Sequence, residues 1–158
     1  MEDIVEIIRI AKSRSFTRSE VSSIVEYIAK KYLKENSIPL NVIDYVTMFD
    51  NTRNHIFIYL VDINTVTICG QICIYIADKT SDYAFIYGLY VSPEVRRRKY
   101  AEALVKIAEA AISTLMFEGS YLESTPGTWM VDWYKRLGYE VYTEDAEKNL
   151  VGLSKQLS

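Results

Sequence analysis

The stretch from Tyr83 to Val91, YAFIYGLYV, constrains the fold more than any other part of the sequence. It is almost wholly apolar, which is typical of a strand at the centre of a sheet covered on both faces. Gly88 interrupts the run and indicates a bulge or a close backbone approach. The chain is therefore expected to form a layered domain around a central sheet.

The segments on either side of this strand have clear periods. Residues 55–62, HIFIYLVD, read as a strand, and residues 66–78 alternate in a way that predicts an antiparallel hairpin. After the central strand, apolar residues between Ala101 and Leu115 recur at helical spacing, which predicts a long helix ending near Gly119.

The remaining segments complete a layered α/β (α+β) fold with a mixed sheet, in a single domain of residues 1–158. The predicted order is β-α-α-β-β-β-α-β-α-β-β. Its further elements are a first strand at 6–11, a helix capped by Thr17 and Glu20, a shorter helix from Pro39 to about Asp50, the strand YLEST, the helix WMVDWYKRL closed by Gly138, and two final strands.

Composition excludes several classes of function. The net charge of −3 gives no general attraction to nucleic acid or to an anionic membrane. The sequence holds no apolar run of membrane-spanning length, and its start does not resemble a secretory signal, so we expect a cytoplasmic protein. With one histidine, His55, and two cysteines four residues apart, we expect no metal site.

Four consecutive basic residues, RRRK at 96–99, lie between the central strand and the long helix. A helix N-terminus exposes unpaired backbone N–H groups and the positive end of the helix dipole. Arginine and lysine beside it favour a phosphate group or a diphosphate. A solvated charge run and a nucleic-acid patch are the alternatives, but the position at a strand-to-helix junction favours the anion site.

Two motifs resemble the GNAT superfamily of N-acetyltransferases. The stretch VSPEVRRRKYAEAL is similar to the acetyl-CoA-binding motif Q/R-x-x-G-x-G/A, which falls on Arg96, Lys99 and Ala101. The stretch WYKRLGYEVY is similar to the second hallmark, an aromatic helix followed by glycine and an aromatic residue. The resemblance covers nearly the whole chain and implies a mostly antiparallel sheet flanked by helices.

The resemblance also implies a set of site residues. The backbone of Leu89, Tyr90 and Val91 would pair with the pantetheine arm of acetyl-CoA, and Tyr134 would lie near the thioester and return a proton to the thiolate. Lys99 replaces a glycine, and we expect it to fit because a first helical turn does not require a positive φ. The pyrophosphate would be held at Arg96, Arg97, Arg98, Lys99, Tyr100 and Ala101.

The implied activity is acetyl-CoA-dependent N-acetyl transfer to a primary amine on a protein, peptide or small molecule. A general base helps because a lysine-like amine is protonated at neutral pH. Glu123 in YLEST is the predicted base, and Ser124 or Tyr87 are alternatives that would orient a water. The acceptor cannot be read from the sequence.

Two other functions stay open. One is a non-catalytic GNAT-like module that binds CoA or works through a partner. The other is a nucleic-acid binder that uses residues 17–32 in a helix-turn-helix, which the acidic balance and the last strands disfavour. We expect neither a membrane nor a nucleic-acid partner, and a homodimer stays open.

Overall fold

The computed structural model describes residues 18–35, 43–50, 55–76, 82–93 and 99–157. In this part of the chain three helices and seven strands form a layered α/β domain, as predicted. The elements are α1 (Arg18–Glu35), β1 (Ile43–Asp50), β2 (His55–Asp62), β3 (Thr67–Tyr75), β4 (Tyr83–Val91), α2 (Tyr100–Thr114), β5 (Gly119–Ser124), α3 (Trp129–Arg136), β6 (Glu140–Asp145) and β7 (Leu150–Gln156).

The strands form one mixed sheet in the order β1-β2-β3-β4-β5-β7-β6. Every neighbouring pair is antiparallel except β4 and β5, which run parallel because α2 connects them as a crossover. The sheet is therefore mostly antiparallel, and the single parallel pair marks the point where its two halves meet.

The predicted short helix from Pro39 to about Asp50 is wrong. Residues 43–50 form β1, which pairs with β2 in register from Ile43 opposite Asp62 to Asp50 opposite His55. β-branched and aromatic residues dominate this segment, and the next four residues, NTRN, have the composition of a turn between strands. The predicted first strand at 6–11 lies outside the described residues.

Helices α1 and α2 pack against each other and against the sheet. The buried side chains of the strands alternate, so one face of the sheet and the apolar faces of both helices share a single core. On the sheet side this core contains Ile56, Ile58, Leu60, Ile72, Ile74, Ala84, Ile86, Leu122, Val151 and Leu153.

The alternate residues of the same strands point to the opposite face and are largely aromatic. Their rings contact one another across the strands; for example, Phe85 stacks on Tyr121 with centroids 4.9 Å apart. We call this surface the aromatic face. It comprises His55, Phe57, Tyr59, Tyr75, Phe85, Tyr87 and Tyr121, all of which are partly exposed.

Helix α3 ends at Arg136 and is closed by Gly138, as predicted. This glycine has a φ of +102°, and the Tyr139 amide donates a hydrogen bond to the Tyr134 carbonyl, which closes the last turn. The Tyr139 hydroxyl then bonds to the Ser120 hydroxyl at 2.7 Å, beneath the sheet. Lys155 donates to the Leu137 carbonyl at 2.8 Å, so α3 is held against β5 and β7.

Candidate functional site

Strands β4 and β5 pair over only part of their length. Their parallel register runs from Tyr83 opposite Gly119 to Phe85 opposite Tyr121, and no pair beyond Phe85 joins them in the described strands. Both strands continue, to Val91 and Ser124 respectively. They therefore separate and leave a cleft in the middle of the sheet, where the backbone of β4 can accept an added extended segment.

A bulge in β4 lies at the start of this cleft. In the register with β3, Gln71 is opposite Tyr90 and Cys73 is opposite Tyr87, so β4 contains one extra residue between them. Gly88 has a φ of +66°, which an L side chain rarely adopts, and a Cβ there would lie 3.2 Å from Cys73 Sγ. The bulge predicted from Gly88 is thus confirmed, and it interrupts the regular β4 ladder beside the cleft.

Helix α2 begins at the end of the cleft. The first helical backbone bond is donated by the Ala103 amide to the Lys99 carbonyl at 3.0 Å, and no side chain of the described residues caps the helix. The amides of Tyr100, Ala101 and Glu102 precede that bond, so they have the geometry of an anion site.

Lys99 differs from our expectation. Its φ of +61° and ψ of +22° put it in the left-handed region, so the position does require a positive φ. Glycine adopts this conformation without cost, whereas a side chain is strained there by about 1–2 kcal/mol. The positive φ therefore explains why the family has a glycine at this position. Our expectation, that a first helical turn requires no positive φ, was wrong.

A cavity of about 460 Å³ opens between the end of β4, the start of α2 and the exposed side of α3. Its walls combine apolar and aromatic side chains with a single lysine and a single glutamate, as in many cofactor sites. It is lined by Leu89, Tyr90, Val91, Lys99, Ala101, Glu102, Trp129, Met130 and Trp133.

The structure brings together half of the predicted cofactor residues. Leu89, Tyr90, Val91, Lys99 and Ala101 all line this cavity. Tyr100 is buried beneath the helix start, so only its backbone can face a ligand. Three further predicted residues, Arg96, Arg97 and Arg98, lie outside the described residues, and the tenth, Tyr134, does not line the cavity.

Sequence reasoning missed the contribution of α3 to the cavity. Trp129, Met130 and Trp133 lie on one side of this helix, at spacings of one and four residues. Trp129 is 70% exposed, which is unusual for so large an apolar side chain. The signal was present as a pair of tryptophans at helical spacing, but a buried stripe gives the same pattern.

Tyr134 lies directly behind Trp129, Met130 and Trp133, which together form what we call the tryptophan wall of the cavity. Its ring packs edge-on against Trp133, with centroids 5.0 Å apart, and it is only 5% exposed. Burial raises the pKa of Tyr134 to about 12, so the hydroxyl keeps its proton at neutral pH. The side chain is next to the cavity without being part of its lining.

Glu123 is placed elsewhere. It is exposed on β5 and points to the aromatic face, where its charge helps to raise the pKa of Tyr121 and of Tyr142, after the larger effect of burial. It is not part of the cavity lining. Ser124, the next residue, is buried on the helix side of the sheet.

A cleft between parting parallel strands, a bulge and an uncapped helix start all lie within residues 83–124. The family model of the acetyltransferase (GNAT) family matches residues 22–139, which include all three features. The chain belongs to the GNAT acetyltransferase family. It is accordingly an N-acetyltransferase, and the co-substrate of its family is acetyl-CoA.

Solved structures with the same fold include several GNAT acetyltransferases. The Elizabethkingia anophelis enzyme with acetyl-CoA bound has a TM-score of 0.61 at 9% identity, covering 73% of this chain and 99% of that one. The Staphylococcus aureus Mu50 enzyme has a TM-score of 0.57 at 14% identity, covering 90% of this chain and 96% of that one. Spermidine/spermine N-acetyltransferase from Vibrio cholerae has a TM-score of 0.59 at 14% identity, covering 68% of each chain. No curated protein sequence matches the chain.

The described residues contain no helix that is long and apolar enough to cross a membrane. They also contain no group of three or more histidine, cysteine, aspartate or glutamate side chains that could hold a metal ion.

Proposed function

We propose that this GNAT acetyltransferase transfers the acetyl group of acetyl-CoA to a primary amine, which attacks the thioester directly. The observation that carries the proposal is the open cleft between β4 and β5, which leads to the uncapped start of α2. Acetyl-CoA supplies the acyl group as a thioester, so no metal is needed to activate it.

The cleft and the helix start suggest how the chain binds this co-substrate. The amides of Tyr100 to Glu102, the Lys99 side chain and the three preceding arginines would hold the diphosphate. The backbone from Leu89 to Val91 would pair with the pantetheine amides as an added strand does. The thioester end would then lie beside the bulge at Gly88, farthest from the phosphates.

Tyr134 remains the proposed donor to the leaving thiolate. Its raised pKa, about 12, keeps the hydroxyl protonated, as a donor requires. It lies on α3, behind the tryptophan wall of the cavity. Movement of Trp133 would give the hydroxyl access to the sulfur.

The aromatic face is the proposed side of entry for the acceptor. It lies across the sheet from the helices, and the cleft opens to it beyond Phe85. Aromatic rings attract ammonium groups through cation–π contacts, which favours an amine that carries a positive charge in solution. Thiol release with a panel of primary amines tests whether that amine belongs to a protein, a peptide or a small molecule.

Binding of acetyl-CoA tests the first half of the proposal. At about 100 times its dissociation constant, the ligand should stabilise the protein by about 2.7 kcal/mol, measured as a thermal shift. Ala101→Glu places a carboxylate at the proposed phosphate site and should weaken binding at least tenfold. Ala110→Glu, the same change on the same helix outside the cavity, should leave binding unchanged.

Thiol release with a panel of primary amines tests the second half. Release that depends on one amine and is lost in Ala101→Glu would support the enzyme. Binding of acetyl-CoA without release on any amine would favour the non-catalytic module. Equal binding in the two glutamate variants would remove the phosphate assignment.

A further inference from the structure

The single histidine of the sequence forms a side-chain pair with a tyrosine of the central strand. His55 Nδ1 lies 2.5 Å from the Tyr87 hydroxyl oxygen, across β3. The imidazole stacks on Tyr75 with centroids 4.7 Å apart, and the Tyr87 ring meets it edge-on at 5.6 Å. The histidine is thus held in one orientation by two rings and one hydrogen bond.

This pair adjoins the bulge of β4. Tyr87 immediately precedes Gly88 and is opposite Cys73 in the register with β3. Cys73 Sγ in turn would lie 3.2 Å from a Cβ at Gly88, so the sulfur packs against the bulge. The cluster His55, Tyr87 and Cys73 therefore lies on the aromatic face, and none of its members lines the cavity.

We propose that Tyr87 and His55 form the proton-accepting pair for the acceptor amine. The inference rests on the proposed function, because the thioester must lie beside the bulge for an amine on the aromatic face to reach it. Tyr87 would be the group that contacts the amine, and His55 would take the proton through it.

The step balances as follows. The amine nitrogen forms a bond to the acetyl carbon, and the bond between that carbon and the CoA sulfur breaks. The amine reacts in its neutral form, after the ammonium group has released one proton to solvent. The second proton, lost as the bond forms, passes to the Tyr87 oxygen while the Tyr87 proton passes to His55 Nδ1. The CoA thiolate takes a proton from Tyr134, which solvent restores, and His55 releases its proton to solvent.

Burial explains why the pair needs both members. It is the largest contribution to the raised pKa of Tyr87, about 12, so this hydroxyl does not act as a base by itself. Histidine is the residue type that most often serves as a general base near neutral pH. The hydrogen bond links Tyr87, which would lie at the thioester, to His55, which can hold the proton.

Other titratable residues lie on the strands around the pair. Tyr59 lies on β2, Cys73 and Tyr75 lie on β3, and Asp50 of β1 is opposite His55 in the register. Glu123, the base predicted from the sequence, lies on the same face on β5. The experiment must therefore separate His55 from Glu123.

The state of the histidine can be read without any acceptor. The chain has one histidine, so its imidazole nitrogens give a single set of signals in nitrogen-15 NMR. A proton acceptor must have a bare Nδ1 and a protonated Nε2 in the neutral ring, with signals that change in Tyr87→Phe. A proton on Nδ1 of the neutral ring would overturn the proposal, since that nitrogen would already be a donor.

Kinetics supply the second test, using the best amine from the panel. His55→Gln and Tyr87→Phe should each lower kcat/KM by about 10²–10⁴-fold and remove the loss of activity at acidic pH. The matched control Tyr27→Phe removes a hydroxyl from an exposed position on α1 and should keep both. If Glu123→Gln removes the loss of activity at acidic pH while His55→Gln retains it, Glu123 is the general base. The pair of His55 and Tyr87 then does not accept the proton.

The two proposals fail in different ways. Absence of a thermal shift with acetyl-CoA in the wild-type protein would reject the proposed function. A normal shift and normal turnover in His55→Gln would reject the proton-accepting pair alone.

Discussion

Among single residues, Lys99 shows how one side chain can serve a ligand and oppose the local backbone. Its left-handed conformation is one that glycine adopts freely, but the residue lines the cavity at the proposed phosphate site. A lysine at this position adds a positive charge that can bind an anion, but its side chain strains the left-handed backbone.

The two effects can be separated by two substitutions. Lys99→Gly and Lys99→Ala both remove the charge, but only glycine removes the strain. We expect Lys99→Gly to unfold at a higher urea concentration than Lys99→Ala, with a difference of about 1 kcal/mol in the free energy of unfolding.

Both Lys99 variants should bind acetyl-CoA more weakly than the wild-type protein, because each lacks the ammonium group. Equal stability of the two variants would show that the backbone at residue 99 is not strained. Unchanged affinity in both would show that the Lys99 charge does not contact the diphosphate.

At the level of elements, the proposed function depends on where β4 stops pairing with β5. The bulge at Gly88 turns the strand backbone just after the last parallel pair, at Phe85 and Tyr121. A regular β4 could remain paired with β5, and the cleft would be closed. The bulge is therefore expected to matter more for ligand binding than for the fold.

Gly88→Ala tests this expectation against Gly127→Ala. Both glycines have positive φ, +66° and +76°, but a Cβ at Gly127 meets nothing within 4 Å, whereas one at Gly88 meets Cys73. Each variant should lose about 1 kcal/mol of stability from backbone strain, and Gly88→Ala somewhat more.

Only Gly88→Ala should also lose affinity for acetyl-CoA and turnover, measured by thermal shift and thiol release. If both variants lose the same amount of stability and neither loses affinity, the bulge has no part in binding.

The elements also show which features the sequence can predict. Strands β2 to β4 and helix α2 follow from alternation and helical spacing, since each buries one regular face. Residues 43–50 were assigned to a helix because their apolar residues fit either period, and only the pairing with β2 decides.

The site was predictable where a backbone motif defines it, as at Leu89 to Val91. It was not predictable where distant strands meet. The contact of His55 with Tyr87 depends on the registers of β2, β3 and β4, which no local pattern specifies. The tryptophan wall of α3 was likewise missed because exposure is set by the fold.

At the level of the whole molecule, the tyrosines link stability to pH. Burial raises the pKa of Tyr134 and of Tyr87 to about 12, and burial together with the Glu109 charge raises the pKa of Tyr139 as well. In the unfolded chain a tyrosine titrates near pH 10. The folded protein therefore holds phenolic protons that the unfolded chain has already lost above that pH.

The sign of the effect follows from this difference in bound protons. Below about pH 10 both states are protonated and these groups leave the free energy of unfolding unchanged. Between about pH 10 and pH 12 only the unfolded chain loses the protons, so stability falls, by up to about 1.4 kcal/mol per pH unit for each buried tyrosine.

Urea unfolding at about pH 8 and about pH 11 should show the loss. Tyr134→Phe should reduce it, because phenylalanine has no proton to lose, whereas Tyr27→Phe, at a position that is 42% exposed, should not. An equal fall in both variants would mean that Tyr134 titrates freely in the folded state, and a hydroxyl that solvent reaches so easily would not be the buried donor that the site requires.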